Sequence, residues 1–317
     1  MNGTQSDVDA IRSKPVIVAC DDLEAAIAEH IEQRGYRLEM IMPADAPRIA
    51  LLSRDGQCVH LKCATHASVA SNLVAPQHLF SVERASSRWQ VGRAGMQYRD
   101  LIPDRLGGHF IASHIRIPDG GPVPDYVHYH KVGFQMIFCR RGWVRVVYED
   151  QGKPFVMQAG DCVLQPPTIR HRVLDASPGL EVIEVGAPAE HETWREYAFD
   201  LPTPTLRPKR RFGGQLFLHD VAALAQWNAA DDALFSYRET GIVAATDGLA
   251  RVRELQANRV DRDPAHWKAA IAAAPLQSHH DALMLLFVLD GCLCIELEDM
   301  PAQRLRTDDA CVIPSGV

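Results

Sequence analysis

The stretch VHYHKVGFQMIFCRRG (127–142), followed by GDCVLQPPTIRH (160–171), carries the densest chemistry in the chain. Alternate side chains of a strand share a face, so His128 and His130 point into one space while Tyr129 points away. Two imidazoles at that spacing make a clamp. After a turn at 131–133, Gln135 has the parity of Ile137 and Cys139 on the returning strand, which brings one polar side chain onto an apolar face. The second hairpin, GDCVLQPP, delivers His171 as a third imidazole.

The elements that must position these residues are β-rich. From Trp89 onward the chain reads as short apolar runs punctuated by Gly and Pro, the texture of a sandwich or barrel. It also reads as a degenerate repeat. YRDLIPDRLGGHFIASHIRI, FQMIFCRRGWVRVVYED and AGDCVLQPP have counterparts in YRETGIVAATDGLARVRELQ, LMLLFVLDGCLCIELED and TDDACVIPSG, with Gly142 matching Gly291 and Asp161 matching Asp309. A repeat of that length is a duplicated barrel, not a solenoid. LPTPTLRPKRRFGG (201–214) reads as an exposed linker between the copies, its basic run a solvated boundary.

Upstream, PVIVAC predicts a strand, and DDLEAAIAEHIEQRG a helix with an Asp N-cap that puts Leu23, Ala26, Ile27, His30 and Ile31 on one face. The strands YRLEMIMP, PRIALLSR and QCVHLKCA follow. This βαβββ order resembles one half of a vicinal oxygen chelate (glyoxalase and bleomycin-resistance) domain. That family takes metal ligands from its first and last strands, where this chain offers only His60, so the module is expected to be a structural or dimerising appendage.

The two histidine-bearing stretches resemble the two motifs of the cupin superfamily. Gly121, His128, His130, Gln135 and Gly142 fall on the first motif, and Gly160, Pro166 and His171 on the second. The resemblance implies a mainly β chain: two tandem cupin jelly-roll barrels preceded by the small βαβββ module. The divisions are a glyoxalase-like module at 1–66, a metal-binding barrel at 85–200 and a degenerate barrel at 212–317. It also implies a divalent metal held by His128, His130 and His171, with Gln135 where most members have Glu, as a neutral fourth ligand or a hydrogen-bonding neighbour. Fe(II) is the expected ion, and Mn, Ni, Co, Cu and Zn also accept imidazole.

Three neutral imidazoles would leave such an ion its full charge, which favours an anionic chelating substrate. His114, Arg116 and Tyr126 are the expected substrate-binding residues. His114 and Arg116 share a strand parity that faces either the pocket or the other sheet, and Tyr126, with Tyr129, flanks the clamp as a packing or lid residue. Glu181 and Glu184 read as a solvent-facing strand edge, and Cys139 and Cys162 as small core residues. No residue stands out as a general base. In the second copy Gln277, His279 and Met284 take the positions of His128, His130 and Gln135, and the sequence ends at Val317 before a counterpart of His171, so on the residues present this copy is expected to pack rather than bind metal.

Composition bounds the function. The 317 residues carry 33 Lys and Arg against 40 Asp and Glu, a net charge of -7 that argues against a nucleic-acid or anionic-membrane partner. No stretch approaches the ~20 apolar residues of a membrane span. The eight cysteines form no C-x-x-C pair and sit mostly in apolar runs, the usage of a reducing, cytoplasmic protein. The expected function is that of a non-haem Fe(II) dioxygenase or related oxygenase taking a small chelating substrate and O2, in a homodimer. The alternatives are a non-catalytic barrel that binds a small ligand for sensing or storage, and a cupin isomerase or lyase.

Overall fold

In the run Trp143–Tyr148, Trp143 and Arg145 are exposed while Val144 and Val146 are buried, the alternation of a strand with one wet face. The same logic, repeated along the chain, builds two facing sheets. The computed structural model describes residues 15–63, 80–230, 235–258, 278–298 and 300–316. Over these the chain is mainly β.

One sheet runs Thr193–Arg195, His128–His130, His171–Ala176, Trp143–Tyr148, Phe155–Gln158 in hydrogen-bonded order. The facing sheet runs Leu218–Asp220, Cys162–Leu164, Phe134–Arg141, Leu180–Ala187, Ile111–Ile117, Gln97–Asp100. Val144, Val146, Tyr148 and Met157 from the first interlock with Ile115, Cys139, Val163 and Val182 from the second in one core cluster. Each fully buried valine there contributes roughly 1.5–3 kcal/mol. The hairpin joining the sheets turns at Gly142, with φ 76°, where an added Cβ would overlap the Ser177 hydroxyl that caps Trp143 N at 3.0 Å. Only glycine fits that turn.

The N-terminal module has the expected order. The strand Val16–Cys20 pairs in parallel with Gln57–Cys63, and the helix Leu23–Glu32 is capped by Asp22, whose side chain accepts from Ala25 N at 3.0 Å. Leu23 and His30 are buried beneath it, while Ile31 turns outward. The sheet pairing ties the module directly to the barrel. The strand Arg37–Met42 pairs with Thr193–Arg195, which pairs in turn with His128–His130, so the module extends the sheet that carries the paired histidines. Hydrogen-bonding edges close on one another, and this edge closes within the chain.

The repeat survives as a hydrogen-bond pattern. In the first copy Cys139 N donates to Asp161 O at 2.9 Å, Gly160 N to Cys139 O at 2.7 Å and Gln158 N to the Asp161 carboxylate at 2.9 Å. In the second, Val288 N donates to Asp309 O at 3.0 Å, Asp308 N to Val288 O at 2.8 Å and Arg306 N to the Asp309 carboxylate at 2.9 Å. The buried Arg99 ties the copies together through Asp308 O at 2.7 Å and Arg84 O at 2.9 Å. Two boundaries interleave: Ser81–Glu83 pairs with Ala310–Ile313, and Leu218–Asp220 pairs with Cys162–Leu164.

Candidate metal centre

His128, His130 and His171 are all buried, and one ring nitrogen from each lies within 4.8 Å of the others. Strand register explains the meeting: His128 pairs directly with His171, and His130 follows two residues on with the same parity. Each Nδ1 is already engaged, His128 with Tyr126 O at 2.8 Å, His130 with Thr193 Oγ1 at 2.8 Å and His171 with Ile169 O at 3.0 Å. A carbonyl can only accept, so His128 and His171 carry their protons on Nδ1 and offer Nε2 as a lone pair. His128 Nε2 is buried with no hydrogen-bond partner. Burial holds the His171 imidazole down to about 4, and burial followed by neighbouring positive charge holds His128 and His130 well below the usual range. Three neutral, oriented imidazoles with an orphaned donor atom fit a divalent metal ion. Among the described residues they are the group with this geometry.

Asp125 organises the approach. Its fully buried carboxylate takes Arg93 Nη1 at 2.5 Å and the backbone N–H groups of Val173 at 2.9 Å and Tyr126 at 2.8 Å. Burial would pull the Arg93 guanidinium down, but Asp125 more than offsets it and the guanidinium stays charged.

Gln135 sits in a chain of hydrogen bonds. Tyr148 OH donates to Gln165 Oε1 at 2.9 Å, Gln165 Nε2 to Gln135 Oε1 at 2.8 Å and Gln135 Nε2 to Glu184 Oε1 at 3.1 Å. The expectation that Glu184 faces solvent is therefore overturned: strand parity turns it toward a cavity of about 90 Å³ beside the histidines. Burial raises its carboxyl above the ordinary glutamate value, against the opposing pull of Gln135 and Arg93. Glu181 does not face solvent either. It accepts from His114 Nε2 at 3.1 Å near the junction of the two copies.

The other expected site residues divide by parity. Ile111, Ile115 and Ile117 line the cavity, so His114 and Arg116 lie on the opposite face of the same strand. There His114 packs on Trp89 and Phe287, and Arg116 stacks on Trp89 while donating to Gln97 Oε1 at 2.6 Å. Tyr126 stays near the clamp through its carbonyl on His128, its ring carrying Arg195 at 4.4 Å. In the second copy His279 Nε2 donates to Ile313 O at 3.1 Å and belongs to no comparable cluster among the described residues, while Gln277 and Val317 lie outside them.

Sequence reasoning missed His191, Arg93 and Asp45. His191 lines the cavity with its ring 5.4 Å from His130, and its Nδ1 bonds Pro188 O at 3.0 Å. Asp45 and His191 sit on loops and Arg93 opens a single short 3-10 turn, none with a spacing pattern, and Asp45 comes from the N-terminal module.

Residues 113–185 match the family model described as a cupin domain. The barrel that carries the three histidines contains a cupin domain. No characterised protein matches the sequence significantly. Among solved structures, the protein Ylba from E. coli superposes with a TM-score of 0.48 at 12% identity, covering 78% of this chain and 89% of that one. A mutant of Bacillus subtilis oxalate decarboxylase gives a TM-score of 0.47 at 10% identity over 74% of this chain and 71% of its own. An RmlC-like cupin from Shewanella frigidimarina gives 0.28 at 22% identity, covering 33% of this chain and 86% of that one. No helix among the described residues is long and apolar enough to cross a membrane.

Proposed function

We propose that the protein is a metal-dependent cupin enzyme, a non-haem Fe(II) dioxygenase or related oxygenase that acts on a small, anionic, chelating substrate. The observation that carries this reading is the set of three buried imidazoles, each locked at Nδ1, beside a small and largely apolar cavity. What a divalent ion supplies when bound is Lewis acidity toward two substrate oxygens and a place for O2 beside them.

The chain's own residues do the rest. His128, His130 and His171 hold the ion, while Ile115, Ile137, Val146 and Val182 keep water from the reacting face. Gln135 positions Glu184 through its Nε2 while its Oε1 accepts from Gln165. Glu184 is the group placed to accept a proton from an entering substrate, its carboxylate fixed on one oxygen by Gln135. Cytoplasmic residence is supported by the eight cysteines, all present as free thiols.

Elemental analysis of anaerobically purified protein, followed by oxygen-electrode assays with small hydroxy acids, keto acids and β-diketones, tests the proposal. Stoichiometric iron with substrate-dependent O2 uptake is expected. Turnover without O2 uptake would replace the oxygenase by an isomerase or lyase, and metal without turnover by a ligand-binding barrel.

A further inference from the structure

The cavity has a second set of polar atoms that the metal centre does not use. Asp45 Oδ1, Arg93 Nε and His191 Nε2 are each buried without a hydrogen-bond partner, and all three residues line the cavity. Nine such orphaned side-chain atoms occur among the described residues, so three on one small cavity, besides His128 Nε2 at the metal centre, is a concentration. Buried polar groups are ordinarily paired, and a group of orphans on one cavity marks the place of a ligand.

Their chemistry is directional. Asp45 Oδ2 is taken by Arg105 at 2.5 Å, which leaves Oδ1 as an acceptor. His191 Nδ1 faces the Pro188 carbonyl at 3.0 Å and must donate to it, so Nε2 is a second acceptor. Arg93 Nη1 is held by Asp125 at 2.5 Å, which leaves the Nε–H as a donor. The remaining walls are largely hydrocarbon, from Ile111, Ile115, Val144 and Met157. Two acceptors and one donor complement a molecule with hydroxyl groups at one end and a carboxylate at the other.

Size narrows the class. At about 90 Å³ the cavity is smaller than the ~150 Å³ apolar cavity that admits benzene, so a bicyclic ligand does not fit inside. Asp45 is also held firmly: its backbone carbonyl packs on Gly92, where an added Cβ would overlap it, and Arg105 bridges it to Asp100 at 3.1 Å.

We infer that the N-terminal module completes the binding site and that Asp45, with His191, selects a short-chain hydroxy acid over its keto counterpart. This rests on the metal-centre reading above, and it adds a substrate class and a specificity residue outside the cupin barrel.

The test uses the full chain loaded with Co(II), whose visible spectrum reports on ligands near the ion without turnover. Lactate and pyruvate, both chelators of the same chain length, are titrated into wild type, Asp45→Ala and His191→Phe. The ratio of lactate to pyruvate affinity should fall about tenfold in each variant, the equivalent of about 1.4 kcal/mol, with pyruvate affinity little changed. A ratio within twofold of wild type in both variants overturns the inference while leaving the metal centre intact. A Co(II) spectrum that responds to neither acid overturns the metal-centre reading and this inference with it. Melting curves identify any variant that fails to fold, and Asp45→Asn, which keeps an oxygen for Arg105, then takes the place of Asp45→Ala with the same expected loss of preference.

Discussion

Gln135 donates from Nε2 to Glu184 Oε1 at 3.1 Å across adjacent strands, so the acid missing from the first cupin motif is returned by its neighbour. A carboxyl group thus lines the cavity on the neighbouring strand, although the motif position itself is neutral.

Replacing Gln135 by Glu would set two carboxylates against each other and remove the donor Glu184 relies on. The pair's folded pKa would rise above the unfolded value of about 4.3, so the penalty is absent below pH ~4 and grows as the pH rises through the folded value. A loss of about 1–3 kcal/mol at neutral pH is expected. Melting temperatures of wild type and Gln135→Glu from pH 4 to 8 check it; a difference that does not change with pH would contradict it.

His128→Ala or His171→Ala should each strip most bound metal, because two imidazoles are too few for a stable site. His279→Ala should leave metal content unchanged, since His279 donates to the Ile313 carbonyl and belongs to no ligand cluster among the described residues. Elemental analysis of the three purified variants measures this directly, and full metal in the first two would remove the assignment.

His114 links the two copies and is buried against Arg99, and burial first, then that guanidinium, lowers its imidazole to about 4. In the unfolded chain it takes a proton near 6.5, so its contribution is present above that pH and is lost as the pH falls toward 4, by up to about 3 kcal/mol. His114→Gln should flatten the dependence of stability on pH across that window. Urea unfolding at pH 7.5, 6 and 5 provides the comparison, and parallel curves for wild type and variant would show that other groups govern the acid limb.

The cupin barrel and its three histidines were legible because alternation and motif spacing are local properties of the sequence. The helix Leu23–Glu32 was legible for the same reason, through its Asp22 cap. What the sequence hid was set by tertiary packing. The parity of His114 and Arg116 left two faces open, and only the packing of Trp89 and Phe287 against His114 decided between them. Glu184 looked like an exposed edge because nothing local announces that Leu180–Ala187 is a central strand between Phe134–Arg141 and Ile111–Ile117. Asp45 and His191 meet the site from loops far apart in sequence, beyond the reach of any periodicity.

The expected homodimer has a candidate surface in the edge strand Val16–Cys20, where Val16 is 63% and Ile17 64% exposed. Apolar edge strands pair readily with a second copy. Light scattering at tens of micromolar should give a dimer mass for wild type and a lower mass for Ile17→Lys. A monomer for wild type would end the proposal.

The short strand Thr193–Arg195 imposes an order of assembly. Thr193 pairs with Ile41 on one side and His130 on the other, and its hydroxyl meets His130 Nδ1. During synthesis the three-histidine pocket therefore cannot set until about 150 residues separating Ile41 from Thr193 have been made and folded back. Until then the nascent barrel presents a raw strand edge and a His130 ring without its hydroxyl partner, a state exposed to mispairing. A chain shortened at its N-terminus would keep the Thr193 contact to His130 but leave the strand Thr193–Arg195 without its partners Ile41 and Met40, a bare edge one strand away from the histidines.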